Sequence, residues 1–205
     1  MPLDVQAFEA GRVAEKASPP RILYAGNLLA SKGVEDLIRA FAILRGRGVD
    51  CRLRILGEGP ERESLQEVAA TLGIGDGIDW SGFLPQQAMP AEYASSSVVV
   101  LPTRGNEEGL GLTLVEALLA GTAVVGTRAG GIPEIVIDGE TGLLAHERDP
   151  TDLADKLSVL LTDPDQRAKL AEQGHRHVRQ RFDPNASVDA FLDLLQRANG
   201  RHSTR

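Results

Sequence analysis

Glu108-Gly109-Leu110-Gly111-Leu112-Thr113-Leu114-Val115-Glu116-Ala117 decides the fold. Two carboxylates stand eight positions apart, the first at a glycine-rich loop and the second about two turns inside an amphipathic helix. At 3.6 residues per turn, eight positions bring both acids along one side of the helix start. The Gly-Leu-Gly backbone between them can approach a ligand closely, and amides at a helix N-terminus favour bound phosphate.

The surrounding pattern supplies the sheet. Strands are predicted over 21–25, 52–56, 78–81, 98–101, 122–126 and 142–145. Helices are predicted over 34–44, 61–72, 89–94, 111–120, 151–162, 165–181 and 186–198, with a single turn near 133–137. Val34, Leu37, Ile38, Phe41 and Leu44 keep the i, i+3, i+4, i+7 spacing of a core-facing helix. Leu65, Val68, Ala69 and Leu72 do the same for the next. Val98–Leu101 is an unbroken apolar run, as in a strand covered on both faces. Strands alternating with helices predict an α/β, doubly wound, Rossmann-like parallel sheet, whose ligands bind beyond the carboxyl ends of the strands. The glycine-rich loops at Gly26–Gly33, Gly57–Gly59 and Gly109–Gly111 fall at such ends.

Residues 1–20 are polar, end in Ser18-Pro19-Pro20 and are expected to form a leader into the first strand. The domain proper is then 21–182, followed by a C-terminal helix over 183–199 and a disordered tail over 200–205. At 205 residues, 42% apolar and 25% charged, the composition is that of an ordinary globular domain. A net charge of −7, with no Lys/Arg run, argues against nucleic-acid binding. The single Cys51 cannot form an internal disulfide and suits a reducing cytoplasm. No apolar stretch is long enough to span a bilayer.

Phosphate held by amides and flanked by carboxylates is what a nucleotide-sugar donor requires. The Glu-x7-Glu element, with Gly121-Thr122-Ala123-Val124-Val125 and Gly130-Gly131-Ile132-Pro133-Glu134, resembles the signature of retaining family-4 glycosyltransferases, the glycosyl transferases group 1. Gly26-Asn27-Leu28-Leu29-Ala30-Ser31-Lys32-Gly33 resembles that family's Gly-Arg-Leu-x3-Lys-Gly loop, and Gly57-Glu58-Gly59-Pro60 and Ser81-Gly82-Phe83-Leu84-Pro85 resemble further family segments. Asp4-Val5-Gln6-Ala7-Phe8 resembles the segment just after the family's inter-domain crossover. The resemblance runs from about Asp4 to Phe182 and covers the C-terminal, donor-binding half of the two-domain GT-B fold.

The resemblance implies roles. Glu116, otherwise an ordinary helix carboxylate, would accept hydrogen bonds from the ribose hydroxyls. Glu108 would contact the donor sugar, its register deciding for it over the neighbouring Glu107. Lys32, otherwise a solvated lysine, would meet the diphosphate together with the amides of Gly109, Leu110, Gly111 and Leu112, in a site that manages without metal. Leu84 matches the position whose backbone meets the nucleobase. Asn27 departs from the family's Arg, and the neighbouring Arg104 is a candidate for the lost cation. The partners implied are an NDP-sugar and an N-terminal acceptor-binding domain that this chain lacks. Any peripheral membrane contact falls to that absent domain.

Two tempting motifs have plainer explanations. Asp163-Pro164-Asp165 spells Asp-x-Asp, a metal motif elsewhere, but joins two predicted helices where a capping turn is expected. Gly57-x-Gly59 lacks the third glycine of a dinucleotide fingerprint. His175 and His177, near a predicted helix end, are expected to be solvated.

Overall fold

In the computed structural model, residues 5–10, 12, 14–106 and 108–181 are described. The predicted helix over 186–198, with Phe191, Leu192, Leu194 and Leu195, lies outside them, as do 200–205 and Glu107. The elements are α1 (Val5–Ala10), β1 (Arg21–Ala25), α2 (Val34–Gly46), β2 (Arg52–Leu56), α3 (Arg62–Thr71), β3 (Ile78–Gly82), α4 (Met89–Ser95), β4 (Val98–Leu101), α5 (Leu112–Leu119), β5 (Ala123–Thr127), α6 (Ile132–Ile135), β6 (Leu143–Ala145), α7 (Pro150–Thr162) and α8 (Pro164–Arg181).

All six strands are parallel and ordered β3-β2-β1-β4-β5-β6. The direction of winding reverses between β1 and β4, the topological switch point where doubly wound sheets bind ligands. β4, β5 and β6 are buried at every position, whereas β3, at one edge, buries only Ile78 and Gly82. α2 packs against α3 and α7, while α5 packs against α1, α4 and α8. The periodic residues of α2 (Val34, Leu37, Ile38, Phe41 and Leu44) are all in the core.

Three local expectations change. The N-terminal stretch is not only a polar leader: Val5 and Phe8 of α1 are buried, and Phe8 sits 6.0 Å from the ring of Tyr93. Six residues form no stable helix alone, so packing of α1 on α4 and α5 supplies its stability. Leu72 is exposed because α3 ends at Thr71 and the chain turns away at Gly73, φ 68°. His175 is mostly buried within α8, near Glu9 and within hydrogen-bond distance of Arg12, and His177 is partly buried. Burial and the Arg12 charge lower the pKa of His175.

At the helix junction, Asp163 accepts a hydrogen bond from the Gln166 amide at 2.9 Å and so caps the start of α8. That is the turn chemistry expected of Asp-Pro-Asp.

Candidate functional site

Two adjoining cavities open at the carboxyl ends of β1 and β4, and both are lined by Ala25, Gly26, Asn27 and Thr113. The first, about 190 Å³, is completed by Leu56, Gly57, Gly82, Phe83, Leu84, Gln86, Met89, Tyr93 and Glu116. The second, about 580 Å³, is completed by Lys32, Leu101 and the run Glu108–Leu112. Asn27, Lys32, Leu84, Glu116 and the run Glu108–Leu112, singled out from sequence, therefore all border this double cleft. Arg104 does not.

The second cavity is built on close backbone contacts. At Gly131 a Cβ would lie 1.7 Å from the Gly109 carbonyl oxygen, and the Gly131 amide donates to the Glu108 carbonyl at 3.0 Å. No side chain fits between the two loops, so the Gly130-Gly131 turn sets the course of Glu108 and Gly109. At Gly33, φ 66°, a Cβ would lie 1.9 Å from the Pro102 carbonyl oxygen, which brings the Lys32 loop against the loop after β4.

Across that junction Lys32 Nζ donates to Glu108 Oε2 at 2.6 Å, and Thr103 Oγ1 donates to the same oxygen at 3.2 Å. Side-chain exposures of 23% for Lys32 and 13% for Glu108 leave the pair partly screened. An ammonium has three donors, so Lys32 can hold Glu108 and still donate to an anion in the cavity. α5 begins at Leu112, and its first amides, which have no intrahelical acceptor, start at the cavity wall.

Arg104 is engaged elsewhere. Its Nε and Nη2 meet Asp36 Oδ2 and Oδ1 at 2.7 and 2.6 Å, and its backbone amide donates to the Ser31 carbonyl at 2.7 Å. Its hydrogen bonds to Asp36 push its pKa up. The guanidinium ties the Glu108 loop to the start of α2 and lies outside the lining of both cavities. Asn27 itself is exposed at the seam between the cavities, and its carbonyl accepts from the buried Tyr24 hydroxyl at 2.8 Å.

In the first cavity, Tyr93 donates its hydroxyl to Glu116 Oε2 at 2.9 Å. Burial raises the pKa of Glu116, while hydrogen bonds from Tyr93 and Gln86 pull it back down. Burial and the nearby Glu116 drive the Tyr93 hydroxyl far above the ordinary tyrosine range. Phe83, 82% exposed, and Leu84 form the outer lip. Sequence reasoning missed Tyr93, Thr103 and Gln86. Nothing local marks them, because Tyr93 meets Glu116 across 23 positions and reads as one more core aromatic.

A parallel sheet with a double cleft at its switch point, one chamber with a Lys–Glu pair and the other with a half-buried carboxylate, defines a doubly wound α/β domain of Rossmann-like architecture. The family model for glycosyl transferases group 1 matches residues 6–177, and the chain belongs to that family.

The relatives agree. The chain is 37% identical over 191 residues to the GDP-mannose-dependent alpha-(1-6)-phosphatidylinositol monomannoside mannosyltransferase of Mycolicibacterium smegmatis, covering 91% of this chain and 49% of that protein. It is 34% identical over 177 residues to the alpha-D-kanosaminyltransferase of Streptomyces kanamyceticus, covering 86% and 45%. The chain thus spans about half the length of the curated relatives it matches.

Among solved structures, the C-terminal domain of a glycosyl transferase group 1 family protein (LpcC) from Francisella tularensis superposes with a TM-score of 0.73 at 26% identity, covering 88% of this chain and 94% of that one. Anabaena HepE, solved with UDP and glucose, shares the fold at a TM-score of 0.80 and 22% identity, covering 95% and 55%. The fold is that of the C-terminal half of a GT-B glycosyltransferase.

Proposed function

We propose that this chain is the donor-binding half of a retaining glycosyltransferase that moves a hexose-type sugar from an NDP-sugar to an acceptor hydroxyl. The observation that carries the proposal is the double cleft: a Lys–Glu pair and a helix N-terminus on one side of Asn27, and the half-buried Glu116 on the other. The GDP-mannose-dependent mannosyltransferase of Mycolicibacterium smegmatis, a relative of this chain, supports a nucleotide-sugar donor.

The diphosphate lies over the seam, against the amides of Gly109–Leu112 and Lys32. Charge accumulates on the departing nucleoside diphosphate in the transition state, and a fixed ammonium stabilises it more there than in the ground state. Lys32 supplies that charge in place of a metal ion. Glu108, steadied by Lys32 and Thr103, orients sugar hydroxyls. Glu116 holds the ribose, and the backbone at Leu84 meets the base. The acceptor site and the groups facing the anomeric carbon belong to an N-terminal domain, so these 205 residues alone turn over negligibly. The proposed setting is the cytoplasm, and the proposed process is the assembly of cell-envelope carbohydrate.

Calorimetric titration with UDP, GDP and ADP, each also as a sugar conjugate, tests the proposal against wild type and Glu116→Ala. Selective binding of one nucleotide, lost in the variant, is expected. Equal binding by the variant removes Glu116 from the site. Glycosyl transfer by the isolated chain overturns the division of labour with a second domain.

A further inference from the structure

We propose that Tyr93 is a positioning residue for ligand recognition: its buried hydroxyl holds Glu116 Oε2 and presents the remaining acceptor sites of that carboxylate to a vicinal diol in the first cavity. The inference rests on the donor-site role proposed for Glu116 and deepens it.

The geometry is specific. Tyr93 is fixed at three points: its ring against Phe8 of α1, its carbonyl by the Thr122 hydroxyl at 2.8 Å, and its own hydroxyl by Glu116 at 2.9 Å. A buried tyrosine needs some partner for its hydroxyl, and a backbone carbonyl would serve packing equally well. Here the partner is a carboxylate on the cavity wall.

An ionised carboxylate has about four acceptor sites. Tyr93 takes one, leaving enough for the two adjacent hydroxyls of a ribose. Burial raises the pKa of Glu116, and Tyr93 from α4 and Gln86 from the turn before it are the groups that oppose the rise. Lys32 and Glu108 face the adjoining cavity. Without the Tyr93 hydroxyl, the carboxylate rotates more freely and protonates at higher pH.

The test uses the full chain with Tyr93→Phe and Glu116→Gln, the phenylalanine keeping the ring. Whichever of UDP, GDP and ADP binds is titrated beside its 2′-deoxyribose form from about pH 5 to pH 8. Tyr93→Phe is expected to weaken the ribonucleotide by about tenfold, to shrink the ribo-over-deoxy preference, and to move the acid limb of binding to higher pH. Glu116→Gln is expected to abolish that limb. Loss of packing alone would lower the melting temperature without moving the limb or the preference. If Tyr93→Phe keeps parental affinity, preference and pH profile while Glu116→Gln binds weakly, the Tyr93 role falls and the Glu116 role stands. If wild type binds none of the three nucleotides, both fall.

Discussion

Replacing Arg104 by Met keeps the aliphatic stem and removes the guanidinium that meets both oxygens of Asp36 at 2.6 and 2.7 Å. Asp36 is 7% exposed, so its charge would stay buried without its partner. Breaking a fully buried pair from one side costs about 3–5 kcal/mol. Arg104 retains 21% side-chain exposure, which places the loss near the lower bound, about 2–3 kcal/mol. For a domain of this size, 1 kcal/mol shifts the melting temperature by about 2–4 °C, so differential scanning calorimetry should show a drop of about 5–10 °C. Replacing Asp36 by Leu in the same chain removes the stranded carboxylate and should restore most of the loss. A single variant melting within about 2 °C of the parent refutes the clamp. So does a double variant no better than the single. Were Arg104 the missing diphosphate cation, its loss would instead weaken nucleotide binding and leave the melt unchanged.

Other expectations follow from single contacts. Burial, with the charges of Arg167 and Arg21, lowers the pKa of Lys16 from 10.5 to about 8. The folded state therefore releases this proton before the unfolded chain does. Urea denaturation of wild type relative to Lys16→Met should show stability gained as pH rises from 8 to 10.5, by up to about 1 kcal/mol per pH unit, and a flat difference would refute it. Asp163→Ala removes the cap on α8 and should cost about 1 kcal/mol by thermal melt without changing nucleotide binding. A divalent metal that raises the wild-type melting temperature but not the variant's would restore the metal interpretation of Asp163-Pro164-Asp165.

The sheet was legible because its signals are local. Runs such as Val98–Leu101 can be buried in few other ways, and the spacing in α2 admits one inward face. The glycine loops of the site were legible for the same reason, since a helix N-terminus announces itself within a few residues. The contacts that hold the site were not. Lys32 reaches Glu108 across 76 positions and Arg104 reaches Asp36 across 68, pairings that exist only once β1 and β4 lie side by side. Arg104 looked like a cation for the ligand because its loop neighbours the site, and sequence does not reveal that Asp36 claims it. α1 was missed because two apolar residues, Val5 and Phe8, create no periodicity, and their burial depends on surfaces supplied by α4 and α5.

The seam through Asn27 divides the labour of recognition between segments that alternate along the chain. Beyond the four shared wall residues, one chamber draws on Leu56, Gly57, side chains between Gly82 and Tyr93, and Glu116, the other on Lys32, Leu101 and the run Glu108–Leu112. Under the proposed function, these chambers host the base and the sugar. Substitutions at Phe83, Leu84, Gln86 and Met89 can then retune which nucleotide is accepted without touching the Lys32–Glu108 pair. A lineage carrying this domain can change its nucleotide currency and its sugar cargo in separate steps, neither requiring the other to be abandoned first.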